Sequence, residues 1–239
     1  NNDVFTVSTE EGSTFEANAV ILAVGVKHRM LGLPGEQELV GKGLSFCAVC
    51  DGAFYTGQET AMIGGGNSAM QEALLLSEVC TKVTIVQNLA FFTGEAKLAQ
   101  ALQEKDNVEV FFNTVVTAYD AENGTLTGLQ LRNDATGETS SIRVDGAFLA
   151  VGLMPENELT RKAGIVMNPI TNGPAVNQYM QTSAPSVFAC GNVVHVNDLV
   201  DNVSEESARA GKYAAQFAMG KLGAQQKTVA CVTGRNVRY

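Results

Sequence analysis

The sequence predicts an α/β fold with a parallel sheet, built from two related nucleotide-binding halves. Three observations lead there. Residues 60–63, Gly64-Gly65-Gly66, residues 67–79 and residues 82–86 read as apolar strand, glycine turn, helix and apolar strand, an order that implies a parallel pair with a right-handed crossover. Two separate apolar stretches, 19–25 and 146–152, both end in Leu-Ala-Val-Gly, an internal echo of the kind that repeated units leave. The chain of 239 residues, 45% hydrophobic and 17% charged, is long enough for one large domain or two ordinary ones and excludes extended disorder, a coiled coil or a collagen-like chain.

The elements follow in order. Val4, Thr6 and Ser8 alternate with Phe5, Val7 and Thr9 as a strand, Glu10-Glu11-Gly12-Ser13 is a turn into a second strand, and 19–24 is a short, wholly apolar strand closed by Gly25. A strand at the very start needs neighbours, so Asn1 reads as a cut inside a longer protein. Gly32, Pro34, Gly35, Gly41 and Gly43 mark 26–45 as a connector between domains. Within 67–79, Ala69, Met70, Ala73, Leu74 and Ser77 recur at helical spacing. A helix is expected over 94–105 and strands over 108–112 and 115–119, with a hairpin at Asn123-Gly124. Residues 126–132 and 140–144 complete a meander before the apolar strand ending at Gly152. The remainder reads as a loop-rich stretch to Thr182, a strand over 186–190 and a helix from Ser204 to about Leu222, with Ala208, Tyr213, Ala214 and Phe217 on one face.

Net charge is −9, from 16 basic and 25 acidic residues. That argues against a nucleic-acid partner, which calls for a basic face. The absence of a long apolar run argues against a membrane span and that of a signal peptide points to the cytoplasm. Five cysteines, an odd number, do not suggest a disulfide scaffold. Cys80 and Cys190 sit among apolar neighbours and are expected in the core, while Cys231 lies in a tail, 223–239, with no structural reading.

Two motifs carry chemistry. Gly64-Gly65-Gly66-Asn67-Ser68-Ala69 fits G-x-G-x-x-A between a strand and a helix. Gly64 and Gly66 let the backbone approach a pyrophosphate, and the helix N-terminus supplies unpaired N–H groups and a favourable dipole. An acid at the end of the next strand would hold the ribose of NAD, and a basic cluster the 2′-phosphate of NADP. The chain has Gln87-Asn88-Leu89-Ala90-Phe91-Phe92 instead. A hydroxyl could bond Gln87 or Asn88, which leaves NAD(H) open, argues against NADP, and leaves loss of nicotinamide binding as a third alternative. The second motif is Cys47-Ala-Val-Cys50. Two thiols at this spacing can close a disulfide and exchange it with a partner. Half of a zinc site is the weaker reading, because the only histidines are His28 and His195 and no second close cysteine pair exists. Asp51 follows the pair and can carry a proton to or from a leaving thiolate.

Phe46-Cys47-Ala-Val-Cys50-Asp51-Gly52-Ala-Phe54-Tyr55, followed by Ile63–Ala69 and Glu72-Ala73, with Gly32-Leu-Pro34-Gly35 upstream and Phe188-Ala-Cys-Gly191-Asn192-Val193 downstream, resembles the low-molecular-weight thioredoxin reductases over nearly the whole chain to about Leu222. The resemblance implies two Rossmann-like, three-layer ββα domains, with the NAD(P)-type domain inserted in the FAD-type one. On that pattern 1–38 and 154–222 are FAD domain and 39–153 the inserted domain. It implies FAD, with electrons passing from reduced flavin to the Cys47–Cys50 disulfide and on to thioredoxin or a similar dithiol protein. Cys50 would face the flavin, Cys47 would exchange with the partner, and Asp51 would be the acid/base. A domain rotation between the two states and a homodimer are also implied. Cofactor contacts are expected at Gly64, Gly65, Gly66, Asn67, Ser68, Gln87, Gly152, Gly191, Asn192, Glu205 and Glu206.

The chain departs from the family pattern in four places. The N-terminal FAD fingerprint is missing. The family's Gly-Asp is Gly191-Asn192 here, its Arg-Gln-Ala is Ser204-Glu205-Glu206, and its NADP-reading His-Arg-Arg is Gln87-Asn88-Leu89 with Thr93 for the downstream arginine. These changes favour NADH, or reduced ferredoxin acting directly on flavin, as the electron source. A non-catalytic nucleotide-binding remnant is the rival reading. A FAD oxidoreductase of the glycerol-phosphate pathway, resembled by the stretch 188–214 with Asn197-Asp-Leu-Val200, ranks third.

Overall fold

The computed structural model describes residues 4–197 and 199–222. Asn1 to Asp3, Asp198 and the tail that carries Lys227, Cys231, Arg235 and Arg238 lie outside the described residues. The chain forms two compact units, one of residues up to 27 together with those from 153 onward, the other of 28–152.

The first unit opens with β1 (Phe5–Ser8) and β2 (Thr14–Ala17), an antiparallel hairpin that pairs Phe5 with Ala17. The turn is tied by Thr9, whose side chain accepts from Ser13 N at 3.1 Å. β3 (Val20–Leu22) and β4 (Val26–His28) follow, the latter leading into the second unit.

That second unit comprises α1 (Glu36–Leu39), β5 (Leu44–Ser45), α2 (Ala48–Asp51) with a 3-10 turn at Gly52–Tyr55, β6 (Glu59–Ile63), α3 (Asn67–Ser77), β7 (Lys82–Val86), α4 (Ala96–Gln103), β8 (Val108–Phe111), β9 (Thr114–Glu122), β10 (Thr125–Asn133), β11 (Thr139–Arg143) and β12 (Gly146–Leu149). Five strands form one sheet in the order β5-β12-β6-β7-β8, all parallel. Parallel sheets bury both faces, and the alternation shows how. Ala61, Ile63, Ala147 and Leu149 join Leu126, Leu129 and Leu131 of β10 in one core. Met62, Val83, Ile85 and Phe148 join Ala69, Met70, Ala73 and Leu76 of α3 and Leu102 of α4 in the other. The unit is therefore three layers: helices, parallel sheet, and the antiparallel meander β9-β10-β11. The hairpin between β9 and β10 turns at Asn123 (φ 53°) and Gly124 (φ 77°), the left-handed pair that a tight two-residue turn requires.

The connector at 26–45 is more ordered than its glycines suggest. Glu36 is 3% exposed, and a buried carboxylate needs partners. It accepts from Leu31 N at 3.0 Å, Gly32 N at 2.8 Å and the Tyr119 hydroxyl at 2.6 Å. Those bonds fasten residues 31–36 to β9. The compact units divide at Lys27/His28 and Gly152/Leu153; the family resemblance implied junctions near 38 and 153.

The first unit resumes with β13 (Leu153–Pro155), α5 (Glu158–Lys162), β14 (Val187–Ala189), a 3-10 turn at Gly191–Val193 and α6 (Val200–Ala218). β14 pairs in parallel with β3, Val187 beside Val20 and Ala189 beside Leu22. Ala210 of α6 packs into a core with Met180, Ala189, Cys190, Val193 and Val194. The helix starts at Val200, four residues before the expected Ser204. Ser204 does not cap it but donates back to the Val200 carbonyl at 3.0 Å within the helix. Cys80 and Cys190 are both buried thiols, as expected. No helix among the described residues is long and apolar enough to cross a membrane.

Burial, reinforced by the hydrogen bond to Glu36 and its charge, pushes the Tyr119 phenol well above its ordinary value of 10.0. The folded state therefore holds this proton more tightly than the unfolded chain. The stabilisation is complete below pH 10 and is lost as pH rises beyond it. Tyr119→Phe should lower stability by about 1–3 kcal/mol at pH 7 and flatten the alkaline loss. Urea unfolding of both proteins at pH 7 and 10.5 checks both effects.

Candidate active site

β5 ends at Ser45, and the chain turns at once into the cysteine pair. Phe46 stacks on the His28 ring at 4.6 Å. Cys47 is the N-cap of α2 and is disulfide-bonded to Cys50, with Cα atoms 5.3 Å apart. Its sulfur accepts from Cys50 N at 3.1 Å, and its carbonyl accepts from Asp51 N at 3.0 Å. Three residues of spacing thus become a single helical turn with both sulfurs at its start.

Two side chains hold that turn. Ser45 donates to Asp51 Oδ2 at 2.6 Å and accepts from Cys47 N at 3.2 Å, so the Asp51 carboxylate and the backbone of the first cysteine share one hydroxyl. Glu72, on α3, accepts from Ala48 N at 2.9 Å. Neither had been singled out as a functional position from the sequence. Ser45 could have been found as the last strand residue before the pair. Glu72 could have been found as a charge on the buried stripe of α3, three residues after Ala69 and four before Leu76. Tyr55 packs edge-on against Phe148 at 5.4 Å. Burial, and secondarily the charge of Asp51, push its phenol up. Val49 and Phe54 flank the disulfide and are 78% and 79% exposed.

The glycine turn follows β6. Gly64 has φ 131°, and a Cβ there would collide with the Ala150 carbonyl, so only glycine lets β6 and β12 end this close together. Gly66 is the N-cap of α3, extended and without a side-chain cap, and nothing comes nearer to its open face than Thr93 Oγ1 at 3.8 Å. No side chain caps the first N–H groups of α3, although Gly94 packs against Asn67 N; an uncapped helix start fits the pyrophosphate of a dinucleotide. Asn67 and Ser68 are exposed at this end, though Asn67 Oδ1 accepts from Glu95 N at 2.7 Å. Gln87 is only 4% exposed. Its amide covers Gly65 and donates to the Phe91 carbonyl at 2.9 Å. Thr93 N donates to the Gly65 carbonyl at 2.8 Å. The 88–93 segment is thus tied to the turn, with Leu89 and Phe91 exposed and no basic side chain on it. Gly152 ends the neighbouring strand segment, its carbonyl accepting from Arg29 N at 3.0 Å.

The family model for pyridine nucleotide-disulphide oxidoreductases matches residues 1–215. The chain belongs to that family. It is 40% identical over 188 residues to the bifunctional thioredoxin reductase/thioredoxin of Mycobacterium leprae, covering 79% of this chain and 41% of that protein. It is 35% identical over 182 residues to the thioredoxin reductase of Bacillus subtilis, covering 75% of this chain and 56% of that one. The Lactococcus lactis thioredoxin reductase superposes with a TM-score of 0.79 at 29% identity, covering 92% of this chain and 72% of that one. The resemblance read from the motifs is borne out, and so is the α/β class with Rossmann-like domains. The chain spans about two-fifths to three-fifths of the curated relatives it matches.

The family is FAD-dependent. In the first unit, β14 ends at a turn where Gly191 N donates to Glu206 Oε2 at 3.0 Å and Asn192 Oδ1 accepts from Asn197 N at 3.0 Å. The His195 imidazole lies 3.7 Å from Glu206. Glu205 is exposed. This donor set fits the hydroxyl-bearing part of a flavin dinucleotide, through the Asn192 amide. It does not fit phosphate, which two carboxylates would repel.

Gly64→Ala should cost about 2–3 kcal/mol from its backbone conformation alone, with the clash at Ala150 in addition. Gly41→Ala, at φ 76° with no atom within 4 Å, isolates the strain. A larger drop in urea midpoint for Gly64→Ala, with loss of dinucleotide binding, is the expected result.

Proposed function

We propose that this chain is the redox part of a flavin-dependent thioredoxin-disulfide reductase, passing electron pairs through Cys47 and Cys50 to thioredoxin or a similar dithiol protein. The observation that carries the reading is the cysteine pair itself: a disulfide at the start of a one-turn helix, beside a carboxylate fixed by Ser45. The exposed apolar rim of Val49 and Phe54 supports a protein rather than a small molecule as acceptor.

FAD, when bound, supplies the two electrons. The chain's own residues do the rest. Cys50 is the sulfur that receives the electron pair, and the disulfide opens to two thiols on uptake of two electrons and two protons. Asp51 moves the proton at the departing sulfur. Cys47 then attacks the target disulfide as a thiolate, forming one mixed disulfide. Cys50 resolves it, returning the Cys47–Cys50 bond and leaving the target as a dithiol. Asn192, Gly191 and the turn around them would hold flavin hydroxyls. Glu205 and Glu206 keep phosphate away from this end of α6. The first N–H groups of α3, with Gly64, Gly65, Gly66, Asn67 and Ser68, would hold the donor's pyrophosphate.

The donor in this reading is NADH, because residues 87–93 carry no cation to meet a 2′-phosphate. Gln87 contributes by shaping the loop. Reduced ferredoxin is the alternative, favoured by the same loop if α3 binds no nucleotide. A homodimer in the cytoplasm is the expected setting.

Cys50→Ser in the FAD-loaded, full-length protein should abolish thioredoxin reduction with every donor. Turnover equal to the parent protein would refute the assignment. In stopped-flow reduction of the flavin, NADPH should perform no better than NADH. A strong NADPH preference contradicts the donor reading, and reduction by ferredoxin alone replaces it. A protein whose visible spectrum lacks flavin bands after reconstitution is the non-catalytic remnant.

A further inference from the structure

We infer that Glu72 is a positioning residue for the cysteine pair, holding the redox turn through Ala48 N and keeping the Cys47 thiol from ionising too readily. The inference rests on the dithiol reading above. A cysteine at a helix N-cap ordinarily has its thiolate stabilised by the first backbone N–H groups of the helix. Here the first of these, Ala48 N, is taken by the Glu72 carboxylate at 2.9 Å. Cys50 N remains on the Cys47 sulfur at 3.1 Å. The sulfur keeps its own cap donor, Cys50 N, so what Glu72 adds is a negative charge set against the helix N-terminus one residue from the sulfur.

Asp51 also sets a carboxylate beside the pair, but Glu72 is the one that reaches the turn from another element. Asp51, on the same element, has its Oδ2 engaged by Ser45. Tyr55 follows on the 3-10 turn, with its phenol pushed up and neutral. His28 stacks on Phe46. Glu72 comes from a different element, the helix that begins at the glycine turn, so its place is fixed by the packing of Ala69, Ala73 and Leu76 against the sheet. A thiol that resists ionisation leaves the reduced pair less stabilised. It therefore gives up its electrons more readily to a target disulfide.

Glu72→Gln keeps an acceptor for Ala48 N and removes the charge. Two measurements on the full-length protein read the result. The first is the pH dependence of Cys47 alkylation by iodoacetamide, followed by peptide mass in a Cys50→Ser background. The Gln variant should shift the midpoint down by roughly half a unit to one unit, a charge effect at an effective dielectric between protein surface and water. The second is the equilibrium of the intact pair with a dithiothreitol buffer at pH 9. The Gln variant should favour the dithiol about threefold, which is about 14 mV for a two-electron couple. Glu72→Ala should shift the alkylation midpoint in the same direction. An unchanged midpoint and an unchanged equilibrium in a Gln variant with parental circular dichroism overturn the inference while leaving the dithiol reading intact. A parent protein whose cysteine pair does not titrate reversibly against dithiothreitol overturns both.

Discussion

The chemistry of the second unit depends on the level ends of its parallel strands. Phe148 of β12 stands beside Ser45 of β5 and Met62 of β6, Ile63 beside Val86, and Val86 beside Phe111. In such a sheet the loops at the carboxyl ends are where ligands and reacting groups collect. Here β5 runs into the cysteine pair, β6 into the glycine turn, β7 into the 88–93 loop and β12 into Ala150, whose carbonyl forces glycine at position 64. Shifting one strand by a residue would turn its core side chains to the opposite layer, so the register that packs the two cores also aligns these segments.

Within that frame, position 87 is a packing position as much as a reading one. Its side chain is buried over Gly65 and bonded to Phe91. A charged side chain there would need its own partner in place of the amide's neutral bond. The loop that follows is shaped by backbone bonds to the turn and by the edge-on contact of Phe92 with Phe112 at 5.0 Å. What such a loop presents at its surface is apolar side chains, Leu89 and Phe91, and backbone.

Much of the second unit was legible because its signals are local. Strands buried on both faces show as short apolar runs, the glycine turn marks where one ends, and Asn123-Gly124 announces its hairpin. The cysteine pair was legible from spacing alone. What escaped were side chains whose role depends on partners far along the chain. Glu36 meets Tyr119 across 83 positions, and Glu72 meets Ala48 across 24. In a linear sequence each is one acid among 25, most of which face water. The start of α6 was misjudged for the opposite reason. The helix already begins at Val200, and the Ser204 hydroxyl is spent on the Val200 carbonyl inside it.

Three of these acids share one physical device. Glu36 takes the N–H groups of Leu31 and Gly32, Glu72 that of Ala48 and Glu206 that of Gly191. Each satisfies backbone donors that would otherwise be open to water or to an anion. The glycine turn before α3 has no such acid, and its first N–H groups are uncapped. At these three turns a carboxylate occupies backbone donors, whereas no side chain caps the start of α3. In the proposed reading a pyrophosphate would therefore meet Gly64–Gly66 rather than the cysteine turn, where a carboxylate already holds Ala48 N.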